Sequence, residues 1–242
     1  MIRLLLFALA GLKFGKIGLT AGSMLLSIAV YASIWGWQFA AGFVGLLFAH
    51  EMGHVLAARV RGLDVSAPAF IPFMGAFITM RGRPDDAETE AYVAYGGPFI
   101  GSLACFAVYF WAREEGSNLG LAIAYSGFFL NLFNLLPISP LDGGRITGVL
   151  GPRIWLLGIP AMIALLIYMP SPMLLIIALI AAPHLLRAWR YDPTLPENIA
   201  YYGRIPAGAK FEYGALYLGL LALLGIMTYR VHDMLAGIHG GM

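Results

Sequence analysis

Apolar residues along the chain gather into runs of membrane-spanning length, separated by short polar breaks. Seven such runs predict helices at about 17–37, 39–60, 91–112, 119–138, 154–169, 172–189 and 213–231. Only Pro170-Ser171-Pro172 separates the fifth from the sixth, which predicts a tight helical hairpin. The fifth run is short, so the expectation is six to seven spans in an all-α polytopic membrane protein. Residues 63–83 break the pattern. They are apolar and rich in aromatic and β-forming residues, yet too short and too interrupted by Pro68 and Pro72 to span. Phe73 to Phe77 reads as a turn between two short strands, a membrane-associated β-hairpin between the second and third helices. Non-helical backbone at membrane depth is tolerated only against protein or a water-filled cavity. Asp85, Asp86, Glu88 and Glu90 then mark the return to the surface.

Composition agrees. The 242 residues are 60% hydrophobic and 12% charged, with mean hydropathy +0.79. A soluble domain carries roughly twice that share of charge. The net charge of +2 is spread through short loops, which gives no footprint for nucleic acid. The single cysteine, Cys105, excludes an intrachain disulfide and a zinc site built from cysteines. Leu4 to Ala10 resembles the core of a signal peptide but is at the short limit, and Lys13 and Lys16 follow it, as in an interfacial segment that is not cleaved. With a cytoplasmic N-terminus and seven crossings, all but Arg113 and Arg230 of the 15 basic residues fall on the cytoplasmic side. The expected location is the plasma membrane.

Candidate chemistry sits in the second run, as His50-Glu51-Met52-Gly53-His54. Ionisable residues inside a span are costly and mark function by default. On a helix the two histidines lie about 40° apart around the axis and about 6 Å apart along it, so both can reach one metal ion. Glu51 is placed to act on water at the metal rather than to bind it. This is the zinc-hydrolase arrangement. Such a site needs a third protein ligand and an open position. Glu88, Glu90, Glu114, Glu115, Glu197 and Glu212 all lie in polar surroundings at segment ends or in loops. His184 reads as an interfacial or packed histidine, and His232 and His239 fall at the far end. Asp142 is the favoured ligand. It follows the fourth run after Pro137 and Pro140, with Gly143 and Gly144 behind it, an acid on irregular backbone at the histidines' depth.

Two motifs together resemble the site-2 proteases, which are intramembrane zinc metalloproteases. One is H-E-x-x-H at His50 to His54. The other is N-x-x-P-x-x-x-L-D-G at Asn134, Pro137, Leu141, Asp142 and Gly143. Gly96-Gly97-Pro98-Phe99-Ile100-Gly101 and the hairpin region also look like family features, so the resemblance covers about 40–190. It implies that His50, His54 and Asp142 bind one Zn2+ per chain. It implies that Glu51 is the catalytic base and that Asn134 places substrate or stabilises the oxyanion. The implied partners are membrane-spanning protein substrates and the lipid bilayer, with any regulatory membrane partner unknown. Neither the PDZ nor the CBS domains of many members fits the polar stretches here. The expectation is therefore a minimal member, one domain over 1–242, with a core at about 39–150 and additional helices at about 151–235. A prenyl-protein-processing protease shares H-E-x-x-H but needs a glutamate ligand on a later helix. A metal transporter leaves Glu51 unexplained. A catalytically dead membrane chaperone is at odds with the intact residue set.

Overall fold

Helices follow the apolar runs closely. The computed structural model describes residues 15–73, 75–77, 84–203 and 205–240. The N-terminal segment with Arg3 and Lys13 lies outside the described residues, as do Arg81, Arg83 and Arg204. Helix α1 spans Gly15–Trp35 and α2 spans Trp37–Val60. The single residue between them, Gly36, has φ +83°, a conformation that glycine adopts without steric penalty. Strands β1 (Ala69–Ile71) and β2 (Gly75–Phe77) come next. Helix α3 (Ala87–Glu114) starts at Asp86, whose carboxylate accepts from the Thr89 amide at 2.7 Å, and α4 spans Asn118–Asn134. A short helix α5 (Asp142–Thr147) follows, then two 3-10 segments, Gly148–Leu150 and Pro152–Leu157, then α6 (Gly158–Tyr168). Helices α7 (Pro172–Trp189), α8 (Pro196–Tyr202) and α9 (Ala207–Gly240) complete the order.

Five of these helices are long and apolar enough to cross a membrane: α1, α2, α3, α7 and α9. The chain is a multi-pass membrane protein. The fourth predicted span is α4, a helix of 17 residues, or about 25 Å. The fifth predicted span is the shorter apolar segment Pro152–Tyr168. Its first turns are 3-10, Pro152 is its first residue, and Gly151 (φ +113°) breaks the helical path just before it. Large side chains on the outside are apolar or aromatic, among them Trp37, Val60, Phe110, Leu179, Trp189 and Phe211, as expected for a surface that faces lipid.

Helix α3 lies at the centre, packed between α2 and α4 and also touching α5 and α9. Small residues let it approach. A Cβ on Gly53 of α2 would lie 2.2 Å from the carbonyl oxygen of Gly96 on α3, so the two backbones meet without intervening side chains. The main apolar cluster joins α2, α3, α4, α5 and α9 through Leu46, Tyr109, Phe128, Ile146 and Leu224.

The two strands pair antiparallel, with Phe70 opposite Ala76. Helix α1 holds this pair. Thr20 Oγ1 donates to the Pro68 carbonyl at 2.6 Å, the Phe70 amide donates to Ser23 Oγ at 3.1 Å, and the Phe73 amide donates to the Tyr31 hydroxyl at 2.8 Å. The buried Phe70 ring packs 6.3 Å from Phe48, two residues before His50. The strands therefore sit against the part of α2 that carries the histidines.

Candidate metal centre

His50 and His54 lie one turn apart on α2, and Asp142 opens α5. All three are buried, none more than 7% exposed. His50 Nε2 is 3.1 Å from His54 Nε2. Asp142 Oδ2 is 3.2 Å from the first and 3.3 Å from the second. These three atoms form a nearly equilateral triangle.

The other ring nitrogens explain why Nε2 points inward. His54 Nδ1 lies 2.9 Å from the Val93 carbonyl, which can only accept, so Nδ1 carries the proton and donates. His50 Nδ1 lies 2.8 Å from Asn131 Oδ1. The Asn131 amide nitrogen donates to the Gly127 carbonyl at 2.8 Å, which fixes the amide with its oxygen toward the histidine. His50 Nδ1 therefore donates too. In the neutral rings both Nε2 atoms are bare lone pairs, and a carboxylate oxygen joins them. Three acceptors meeting in a buried space repel one another unless a cation lies among them. The dimensions also fit zinc. Ligand atoms at about 2.0–2.1 Å from a tetrahedral ion lie about 3.3 Å apart, close to the triangle's edges. Among the described residues this is the one such cluster.

Glycines on α3 make the room. A Cβ at Gly97 would lie 2.2 Å from His54 Nε2, and one at Gly101 would lie 2.5 Å from Asn131 Oδ1. The spacing of Gly97 and Gly101, which in a span suggests helix packing, here clears space for the inner ring nitrogens and the asparagine that orients one of them.

Glu51, next to His50, is buried and makes no side-chain hydrogen bond to a described residue. Asp142 does not stand on irregular backbone. It is the first residue of α5, with Leu141 at the cap position. Gly143 and Gly144 are helical there and serve by their small size, since a Cβ on Gly143 would lie 2.1 Å from the Leu135 carbonyl oxygen. Later elements hold this segment. Trp155 Nε1 donates to the Gly144 carbonyl at 2.7 Å, and the Tyr217 hydroxyl donates to the Leu135 carbonyl at 2.7 Å. His184 Nδ1 hydrogen-bonds with Ser139 Oγ at 2.9 Å. Asn134 is not brought into the cluster, and its amide donates to the Leu130 carbonyl of its own helix at 3.1 Å. The asparagine that touches a histidine is Asn131, one turn earlier, which sequence reasoning missed. It stands on the same helix and one turn from the motif, and only the packing of α4 on α2 separates the two.

Residues 38–113 match the model for peptidase family M50. The segment holds His50, Glu51 and His54. The match covers about a third of the chain, and within it the chain is similar to peptidase family M50. The chain is 29% identical over 158 residues to EGY1 of Arabidopsis thaliana, named "Probable zinc metalloprotease EGY1, chloroplastic", covering 46% of this chain and 29% of that protein. It is 29% identical over 133 residues to Rip3 of Mycobacterium tuberculosis, named "Putative zinc metalloprotease Rip3", covering 50% and 33%. It is 29% identical over 126 residues to the zinc metalloprotease MJ0392 of Methanocaldococcus jannaschii, covering 50% and 36%. The likeness spans about a third of the length of these relatives, and each of them is named as a zinc metalloprotease.

Proposed function

We propose that this chain is a zinc-dependent intramembrane endopeptidase that cleaves membrane-protein substrates in or near their transmembrane segments. The observation that carries the reading is the buried triangle of His50 Nε2, His54 Nε2 and Asp142 Oδ2, with edges of 3.1 to 3.3 Å. These side chains would hold one zinc ion, which supplies a Lewis acid that acidifies water and polarises a carbonyl. Asn131 and the Val93 carbonyl keep both imidazoles in the tautomer that presents Nε2. Glu51 takes the proton from the attacking water and then gives it to the nitrogen of the departing amine. Its carboxylate is buried beside the histidines. Asn134, one turn beyond Asn131, is assigned to substrate placement.

The substrate must be a locally unwound segment, because a helix hides its carbonyls in hydrogen bonds. Two features support an approach from the membrane. An apolar groove of about 530 Å³ runs between the end of α1, the start of α2 and α4, lined by Trp35, Phe39, Phe43, Phe129 and Phe133. Helix α2 carries His50 two turns beyond Phe43, and α4 carries Asn131 within the stretch that lines the groove. The strand pair offers an edge for strand addition. We assign the N-terminus to the cytoplasm of a plasma membrane, the centre to its cytoplasmic side, and the whole of 1–242 to one protease domain. Purified chain is expected to bind zinc and cleave a transmembrane peptide. Glu51→Gln should keep its zinc and lose about 10²–10⁴ in turnover. Cleavage undiminished in that variant overturns the reading.

A further inference from the structure

Asp142 has a second carboxylate oxygen that the histidines do not use. Oδ2 faces both imidazoles, whereas Oδ1 lies 3.7 Å from Arg145 Nη1, three residues further along α5. The same guanidinium donates from Nε to Oε1 of Glu90 at 3.2 Å, in the first turn of α3. The other oxygen of Glu90 accepts from the Tyr201 hydroxyl on α8. A chain of contacts thus runs from the centre through Arg145 and Glu90 to Tyr201, and it joins three elements far apart in sequence.

We infer that Arg145, fixed by Glu90 and Tyr201, is a positioning residue for Asp142, engaging Oδ1 so that Oδ2 alone is presented to the metal. The inference rests on the metal-centre reading above. An unrestrained carboxylate turns about its Cβ–Cγ bond and offers either oxygen or both. A cation on one oxygen distinguishes them. Arginine suits the task because its planar fork reaches two carboxylates at once, Nε to one and Nη1 to the other, which an ammonium cannot do. Glu90 has a further effect. A lone arginine near a dication is repelled, and the Glu90 charge offsets this and holds the guanidinium in place. Tyr201 is a dependable donor to Glu90, because burial and the neighbouring carboxylate push its pKa above the ordinary tyrosine value. Partners behind a metal ligand typically contribute 10–100-fold to metal affinity.

An ion pair that served only to join α3, α5 and α8 would affect thermal stability and leave zinc affinity alone. The test is a zinc titration of the full chain in detergent, stripped of metal, in competition with a chromophoric chelator. Arg145→Gln should weaken zinc binding by about 10–100-fold. Glu90→Gln should weaken it too, and should add less than about two-fold when combined with Arg145→Gln, because it acts through Arg145. Arg145→Lys, which keeps the charge but not the fork, should fall between the parent and Arg145→Gln. Zinc affinity within about two-fold of the parent in Arg145→Gln, or effects of the two substitutions that multiply, overturns the inference. If Arg145→Gln does not fold, Arg145→Lys and Glu90→Gln serve in its place, and parental affinity in both overturns it equally. A parent chain that binds no zinc overturns the metal-centre reading and this inference together.

Discussion

At His50 the two ring nitrogens have different work. Nδ1 is held by Asn131 at 2.8 Å, and Nε2 is left for the centre. Removing that hold frees the ring to change tautomer and to rotate. Asn131→Leu should therefore lower zinc affinity by about 10–100-fold, measured by chelator competition, while the chain stays folded by circular dichroism. The three residues proposed as ligands, which the structure brings together, stand out in the sequence. Two histidines four apart in an apolar run have few structural uses, and an aspartate between Pro137 and a glycine pair is out of place unless it has a partner. Asn131 could not be read this way. A polar residue inside an apolar helix is noticeable, but its partner lies 81 residues away, and nothing local says which turn of α4 faces α2. The glycines tell a similar story. Gly97 and Gly101 signalled close packing, and packing distances alone reveal that the clearance is for His54 and Asn131.

Among the elements, the strand pair has two edges that differ. The Phe70 amide points away from β2 and is taken by Ser23, and the Pro68 carbonyl is taken by Thr20, so α1 covers the β1 edge. In antiparallel pairing Ala76, opposite Phe70, also directs its amide outward, on the edge of β2 that no described strand covers. A substrate strand would add there. Ala76→Pro removes that outward donor without removing a bond between β1 and β2. It should raise KM for a transmembrane substrate several-fold and leave zinc content unchanged, and unchanged KM would rule out strand addition at this edge. The two short strands could be anticipated from composition, because Phe73 to Phe77 combines turn and β-forming residues. Their attachment to α1 could not, since it rests on Thr20, Ser23 and Tyr31, ordinary residues in an apolar run. The 3-10 turns at Pro152–Leu157 were likewise hidden, because they overlap the start of an apolar segment that read as one span.

For the whole molecule, long apolar runs made the spanning helices legible, because lipid leaves a backbone few choices other than a helix. The C-terminal third was not legible as part of the site. Its sequence reads as membrane anchor, yet Trp155, His184 and Tyr217 all hydrogen-bond to the segment that leads into and out of Asp142. The proposed orientation rests on the placement of basic residues. With the N-terminus inside, Ser117 between α3 and α4 lies outside and Asp192 after α7 lies inside. A membrane-impermeant thiol reagent should label Ser117→Cys on intact cells, and Asp192→Cys only after permeabilisation. Cys105 is buried and should contribute no background. The reverse pattern would invert the assignment. The central claim is a single metal held by side chains from two distant parts of the chain. Metal analysis of the purified protein tests it most directly. The parent should carry about one zinc ion per chain, as a three-ligand site requires, and His54→Ala and Asp142→Asn should each carry far less. Full zinc occupancy in Asp142→Asn would contradict the account.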